Sequence, residues 1–390
     1  MSPLESGAGH GETVRVVCAQ QDDAYVLALV KKRTYSIGRD GGCELAEEQQ
    51  PVTQDVVYEE EAEPPEVAAP RWDNDCFALK PRIDVLVRGE AQSYGRRVTS
   101  TVVEARIGEV YRRIKVYGDR VCEWQGGRPT FSPPEPFETM PVGYDRAYGG
   151  FDAEVLEREG DAFADAFRKV RPEWKVDATT WCHYPRNPSG TGYVIAGVPR
   201  KRPVRVPNLE FPFDPVTPDR LAVSPVERWM SAPLPAALDW VDQTWFPRSG
   251  YLGLIPPHAS EDVPPPEVRF GFAPEDLLQS RSIFDLGFRH EFLQGASAGL
   301  SFWELRPGEE VLVRNMFEEA PDFVVRLPMD RPRMAVEPRG QDRQEMDVHL
   351  NTVMVDAVAR EVVQVWSGRL GVWRPFGPQE LEEIPYWIGW

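Results

Sequence analysis

The sequence has 390 residues, of which 42% are hydrophobic and 27% are charged, a globular composition that excludes wholesale disorder. Its 62 Asp and Glu residues outnumber 44 Lys and Arg residues and give a formal net charge of -18, which argues against nucleic acid or an anionic membrane as the main partner. The 38 Pro and 31 Gly residues leave little room for long helices and favour strands joined by irregular loops.

The localisation signals are all negative. The longest apolar run, Tyr25 to Val30, is too short to cross a bilayer. The first residues lack the basic start and apolar core of a secretory signal. The five cysteines are scattered and include no CxxC pair, as expected for reduced thiols. We therefore expect a cytoplasmic protein that contacts no membrane.

Several segments have the two-residue alternation of strands, bounded by turn residues. The clearest pairs are a hairpin near the start, a hairpin around Gly108, and a hairpin near the end of the chain. The predicted strands are Thr13–Cys18, Tyr25–Val30, Ile83–Gly89, Val98–Ile107, Val110–Tyr117, Leu300–Leu305, Val311–Asn315, Phe323–Leu327, Val348–Val355 and Glu361–Trp366.

The middle of the chain is irregular. The stretch Pro136 to Gly150 combines Pro, Gly and aromatic residues, and we interpret it as a wrapped connection in which Arg146 has a structural role. A helix is predicted from Asp161 to Val170, and a second, shorter one from Pro235 to Trp240. Most of the remainder up to Pro257 consists of loops.

These elements predict a mainly β protein with two strand-rich, sandwich-like halves, long Pro/Gly-rich loops and one or two short helices. The expected divisions are an N-terminal β region at 13–150, a loop-rich middle at 151–280, a C-terminal β region at 281–375 and an aromatic, acidic tail at 376–390. The alternative is a single integrated domain from 13 to 375.

Enzyme motifs are incomplete. His290-Glu291 lacks the second histidine of HExxH, and the Gly-rich loop after Pro188 lacks the lysine of a phosphate-binding loop. No GxSxG motif is present. Paired acids such as Glu309-Glu310 are more typical of a solvated turn than of a glycosidase. The sequence therefore predicts no catalytic residue, no metal and no cofactor.

Aromatic residues in the Pro-rich segments suggest a protein-binding surface, because Trp and Tyr ringed by polar residues are typical interface anchors. The alternative is that these rings close the chain's own loops over its sheets. The candidate partner-binding residues are Trp229, Trp240, Trp245, Phe246, Tyr251 and Trp387.

An ordered set of short motifs carries a family resemblance. It includes the segment from Lys80 to Ala91, the stretch Pro136 to Gly150, and Asn351 to Asp356 with Val365-Trp366. From about Val14 to Trp366 the chain resembles domain of unknown function 2169, the type VI secretion adaptor or chaperone family. The recurring family positions, which we expect to be architectural, are Asp84, Gly89, Gly118, Asp119, Arg120, Arg146, Gly149, Gly150, Asn187, Pro188, Asn208 and Glu210.

The resemblance implies a cytoplasmic, non-enzymatic adaptor. It would bind a secreted effector, often through a PAAR-containing or N-terminal region, and help to load it onto the VgrG spike. The segment Pro218 to Gln279 departs from the family pattern, which leaves the identity of the effector open. Two alternatives are a β-sandwich hydrolase that uses paired carboxylates and a structural component of the secretion spike.

Overall fold

Strands dominate the computed structural model, which describes residues 5–21, 24–58, 68–157, 183–184, 186–198, 200–223, 232–245, 248, 290–297, 299–306, 308–328 and 330–390. The prediction of a mainly β fold is confirmed. In chain order the strands are β1 (Glu5–Ala8), β2 (Val14–Gln21), β3 (Ala24–Ile37), β4 (Cys43–Leu45), β5 (Val57–Tyr58), β6 (Pro70–Trp72), β7 (Ile83–Arg88), β8 (Glu90–Gln92), β9 (Ser100–Ile107), β10 (Val110–Tyr117), β11 (Arg120–Gln125), β12 (Arg128–Phe131), β13 (Thr139–Pro141), β14 (Tyr148–Gly149), β15 (Thr191–Gly192), β16 (Val194–Ile195), β17 (Val204–Val206), β18 (Leu209–Glu210), β19 (Ala222–Val223), β20 (Ser301–Phe302), β21 (Glu310–Arg314), β22 (Asp322–Arg326), β23 (Arg333–Val336), β24 (Gln344–Glu345), β25 (Asp347–Asp356), β26 (Glu361–Val372) and β27 (Pro385–Gly389).

The largest sheet combines strands from the first and the last hundred residues of the chain. Its strand order is β2-β3-β26-β25-β7-β20, with β4 paired to β3. The predicted first and last hairpins are both present, and β3 pairs with β26 so that they lie side by side. Residues 27 to 30 of β3 are fully buried, as expected for a strand that is covered on both faces.

A five-stranded sheet, in the order β18-β10-β9-β21-β22, contains the predicted hairpin at Gly108. One face of this sheet is apolar and buried, and the other carries polar residues, which is the alternation that the sequence shows. Because β21 pairs with β9, this sheet also combines strands from the ranges 13–150 and 281–375.

The segment predicted as an aromatic tail forms regular structure. Residues Pro378–Glu383 are helical, and β27 pairs with both β1 and β23 in a four-stranded sheet of order β1-β27-β23-β24. Tyr386 and Ile388 are buried in this sheet. The end of the chain is therefore part of the packed structure.

Helices are short. Besides Pro378–Glu383, residues Pro218–Leu221 and 153–157 are α-helical, and Tyr144–Arg146 and His290–Leu293 are 3₁₀ turns. The helix predicted at Asp161–Val170 lies outside the described residues. The helix predicted at Pro235–Trp240 was wrong: its three residues Ala236 to Leu238 are all fully buried, and the carbonyl of Leu238 accepts a hydrogen bond from Val87 N. Consecutive burial suits a segment that runs beside a strand better than a helix with one exposed face.

Two large apolar clusters are found among the described residues. The larger one fills the space between the main sheets. The second lies around Tyr148, Tyr184, Tyr193 and Val206, under the three-stranded sheet of order β12-β11-β17. Among the described residues, no helix is long and apolar enough to cross a membrane.

Candidate functional site

Asn187 is at the centre of a junction between the stretch Pro136 to Gly150 and the loop that follows Pro188. Its side chain is fully buried, and its Nδ2 atom donates to the carbonyls of Tyr144 at 2.8 Å and Tyr148 at 3.2 Å. Its own carbonyl accepts the N–H of Gly150 at 2.8 Å. We call these contacts, together with Gly149 and the parallel pairing of β14 with β15, the Asn187 junction.

The backbone of Asn187 approaches residue 149 so closely that only glycine fits there. A Cβ atom at Gly149 would lie 2.2 Å from the carbonyl oxygen of Asn187, and its φ of +153° is unfavourable for other residues. Pro188, which follows Asn187, is half-buried. The family residues of this segment therefore bring two chain segments into backbone contact.

Asn208 connects a second group of family residues. It is 2% exposed, and its Nδ2 atom donates to Asp119 Oδ1 at 2.9 Å and to the carbonyl of Tyr117 at 3.1 Å. Arg146 lies at the edge of the same group, 3.4 Å from Asn208 Oδ1 and 3.5 Å from Asp119 Oδ1. These long distances and its partly exposed side chain make Arg146 a peripheral member.

Arg120 and Glu210 are close in the chain to this group, Arg120 directly after Asp119 and Glu210 two residues after Asn208. Arg120 donates to the carbonyl of Pro207 at 2.8 Å and stacks 4.0 Å from the centre of the Tyr117 ring. Burial lowers the pKa of Arg120, and the nearby Glu210 carboxylate opposes that shift. Glu210 itself accepts the N–H of Val216 at 3.0 Å. Both side chains have internal partners.

Asp84 is the most densely bonded of the family residues. The fully buried carboxylate accepts hydrogen bonds from Lys80 Nζ at 2.9 Å, Gln294 Nε2 at 2.6 Å, Gly295 N at 2.8 Å and Ser301 Oγ at 3.0 Å. A buried carboxylate needs such donors to remain charged. Asp84 therefore ties β7 to the segment after His290.

Gly89 and Gly118 complete the set. The carbonyl of Gly89 accepts from Val142 N at 3.0 Å, which connects β7 to the stretch Pro136 to Gly150. A Cβ atom at Gly118 would lie 1.7 Å from the carbonyl oxygen of Glu135. Most of the family positions thus lie in packed, hydrogen-bonded parts of the fold, whereas Asp119 is exposed and Arg146 is partly exposed.

Two of the aromatic residues predicted to bind a partner are in the core, which corrects that expectation for them. Trp240 is 1% exposed and packs edge-on against Trp72 at 5.8 Å. Trp245 is 3% exposed and packs edge-on against Tyr144 at 5.1 Å. Their large apolar area is used to cover the sheets, as the alternative interpretation of these rings required.

The remaining four candidate partner-binding residues are not in the described core. Trp387 is half-buried on β27, with the guanidinium of Arg343 at 4.7 Å from its ring centre. Trp229, Phe246 and Tyr251 lie outside the described residues. The predicted aromatic surface is therefore not assembled from Trp240, Trp245 and Trp387.

Sequence reasoning missed the two tryptophans that are most exposed among the described residues. Trp373 and Trp303 expose 80% and 73% of their surface. The guanidinium of Arg82 lies 4.3 Å from the ring centre of Trp303, and Arg374 lies 5.7 Å from that of Trp373. Both lie outside the segments from which the candidate partner-binding rings were chosen, so that signal did not select them.

A cavity of about 500 Å³ lies beside β3, β6 and β26. Its wall includes Lys32, Trp72, Arg71, Asp356 and Glu361, and it has both cationic and anionic side chains. A volume of this size is compatible with a small ligand.

Lys32 is the buried cation of that cavity. Its Nζ atom donates to Asp75 Oδ2 at 3.0 Å and lies 3.6 Å from the centre of the Trp72 ring. Burial lowers the pKa of Lys32, although the Asp75 carboxylate opposes the shift. Asp75 also accepts from Thr53, so the pair is part of a closed internal network.

The described residues thus define a mainly β protein whose motif residues hold sheets and loops together and whose surface exposes tryptophan and arginine side by side. Among these residues, no group of three or more His, Cys, Asp or Glu side chains could hold a metal ion. The chain belongs to the DUF2169 family, described as an uncharacterized protein conserved in bacteria, whose model matches residues 22–367. No curated protein and no solved structure matched the chain.

Proposed function

We propose that this protein is a cytoplasmic adaptor that binds a type VI secretion effector, through its PAAR-containing or N-terminal region, and helps to load it onto the VgrG spike. The proposal takes its partners from the resemblance of the ordered sequence motifs. The structural observation that supports it is the exposure of Trp303 and Trp373 beside arginine side chains. Tryptophan, tyrosine and arginine are the residues most enriched among interface anchors.

The positions of the family residues support a binding role in a second way. Asp84, Asn187 and Asn208 each use their polar atoms in internal hydrogen bonds. The polar atoms of these residues therefore stabilise the fold. Partner recognition is then expected from side chains on the surface.

A tagged copy expressed in its native strain tests the proposal. We expect it to co-purify with an effector and a VgrG protein, both identified by mass spectrometry, and we expect its deletion to stop secretion of that effector. Recovery of neither protein, with normal effector secretion after deletion, would refute the proposal.

Single substitutions test whether the two exposed tryptophans bind the effector. Trp303→Ala and Trp373→Ala should reduce recovery of the effector without changing the melting temperature, because both side chains are mostly exposed. Val358→Ala is a suitable control, since Val358 is 67% exposed but has no aromatic ring. Equal recovery by all three variants would exclude the two tryptophans as anchors.

The hydrolase alternative has one observation in its favour, the cavity with Asp356 and Glu361 in its wall. However, Asp356 Oδ1 already accepts the N–H groups of Val358 and Ala359, and Glu361 accepts from Gln50. If the chain hydrolyses glycosides or esters there, Glu361→Gln and Asp356→Asn should abolish turnover of nitrophenyl substrates by the purified protein. The remaining alternative is a structural component of the secretion spike. It would be favoured if the protein were recovered in a stoichiometric amount with spikes sheared from cells.

A further inference from the structure

The outward side of the five-stranded sheet has a regular arrangement of charge and rings. Cross-strand register places Tyr111, Arg106 and Leu312 in one row across β10, β9 and β21. The next row consists of Arg113, Glu104, Arg314 and Asp322, and Lys115 lies opposite Val102 in the third. We call these residues the outer sheet face.

Glu104 is the buried acid of this face. Its side chain is 2% exposed, whereas those of Arg113 and Arg314 are 49% and 36% exposed. Arg113 Nε donates to Glu104 Oε2, and Arg314 Nη1 lies 3.6 Å from the same oxygen. The acid therefore lies beneath two guanidinium groups. Arg314 is also balanced at the surface by the exposed Asp322, whose Oδ1 accepts from Arg314 Nε at 2.6 Å, whereas Arg113 is 49% exposed above the buried acid.

Two further cations on this face form no ion pair within the described part of the chain. Arg106 Nε donates only to the carbonyl of Gly108, at 3.2 Å, and Lys115 lies 4.7 Å from the ring centre of Tyr117. Tyr111, next to Arg106, is 49% exposed, and Val102 is 36% exposed. The face thus combines available positive charge with apolar and aromatic surface.

The negative net charge of the chain makes a cationic face unusual on this surface. A protein with a net charge of -18 repels an acidic partner over most of its surface, and a local cationic face is where such a partner gains attraction on approach. The exposed Tyr111 and Val102 would in turn take apolar side chains of the partner.

We propose that the outer sheet face is the docking surface for an acidic segment with interspersed apolar residues on a partner protein. That the partner is the secreted effector rests on the function proposed above. The chemistry of the face does not depend on it, so the two can be tested separately.

The first experiment measures the affinity of the outer sheet face for an acidic peptide. The probe is a fluorescein-labelled peptide of alternating Glu or Asp with Leu or Phe, compared with the same peptide in which Gln and Asn replace the acids. We expect the acidic peptide to bind the full chain, to weaken as salt is added, and to lose at least about tenfold in affinity on Arg106→Glu with Lys115→Glu.

The control is a pair of charge reversals elsewhere, Arg128→Glu with Arg333→Glu. Both of these arginines are exposed on strands of other sheets, and the change in net charge is the same. The control pair should keep at least about half of the parent's affinity, because net charge alone acts weakly at this distance in salt. Equal losses in both pairs, equal binding of the amide peptide, or tighter binding of a labelled DNA duplex would each overturn the proposal.

A second experiment separates this inference from the proposed function. If the tagged parent recovers the effector and the Arg106→Glu, Lys115→Glu variant recovers as much, the docking face is wrong and the adaptor function stands. If the parent recovers no effector while the peptide still distinguishes the two variant pairs, the adaptor function fails and the face stands. Circular dichroism and melting curves should show that both variant pairs are folded, since Arg106, Arg128 and Arg333 are exposed and Lys115 is half-buried rather than in the core.

Discussion

The side-chain amide nitrogen of Asn187 donates a hydrogen bond of 2.8 Å to the main-chain carbonyl oxygen of Tyr144. Tyr144 in turn contacts Trp245 through its ring and Ser297 through its hydroxyl, at 2.7 Å. Burial raises the pKa of Tyr144 well above that of a free tyrosine. One asparagine therefore fixes a tyrosine that connects the irregular middle of the chain to the core.

Asn187→Ala should destabilise the protein by about 2 to 3 kcal/mol, because two buried carbonyls lose their donor. Urea unfolding followed by tryptophan fluorescence measures this loss. Ser189→Ala is the control: its hydroxyl donates to Asn187 Oδ1 at 3.3 Å from a half-buried position, and we expect a cost below about 1 kcal/mol. Similar costs for both variants would contradict a central role for Asn187.

Gly118→Ala should cost about 3 kcal/mol or more, because the new Cβ would overlap the carbonyl oxygen of Glu135 and the backbone must move. Gly371→Ala is a matched control, since a Cβ there meets nothing within 4 Å. The control should change stability by less than about 0.5 kcal/mol. Thermal unfolding of the two variants side by side checks the difference, and equal melting temperatures would show that the close approach at Gly118 can relax.

Arg146→Ala should cost less than about 1 kcal/mol, because the side chain is partly exposed and its contacts with Asp119 and Asn208 are 3.4 to 3.5 Å long. Asn208→Ala should cost about 2 to 3 kcal/mol, since its buried amide has two acceptors. Denaturant midpoints distinguish the two. If Arg146→Ala keeps its stability yet loses the effector in a pulldown, Arg146 has a role in partner binding.

The sequence was most informative where structure is local. The β2–β3, β9–β10 and β25–β26 hairpins follow from alternating residues that flank short turns. The pairing of Lys31 in β3 with Trp366 in β26, and the parallel pairing of β25 with β7, have no such signal. Alternation shows that a strand has a buried face, but it does not identify the neighbouring strand.

The same limit applies to the candidate site. Short motifs of Gly and Asn indicated that their segments are structurally constrained, and Asn187 and Asn208 do have buried hydrogen-bond networks. The Pro-rich context around Trp240 suggested exposed rings interrupted by a short helix, whereas the segment is non-helical and Trp240 is buried. The outer sheet face depends on register among β9, β10 and β21, which only the folded chain reveals.

The last prediction concerns acid, through the helix at Pro378–Glu383. Arg374 and the N–H of Gly377 donate to the Glu380 carboxylate and lower its pKa to about 2. Because the folded-state pKa lies below the ordinary glutamate pKa of 4.5, the contribution of this carboxylate to stability is fully present above pH 4.5. The contribution decreases as the pH falls toward the folded-state pKa.

Glu380→Gln should therefore be less stable than the parent at about pH 6.5, and the difference should shrink at about pH 3 and nearly vanish at about pH 2. Urea unfolding at each pH measures it. Glu383→Gln, on the same helix and exposed, controls for the loss of one negative charge and should differ little from the parent across this range. A gap between parent and Glu380→Gln that stays constant with pH would show that the interaction with Arg374 does not depend on the charge of Glu380.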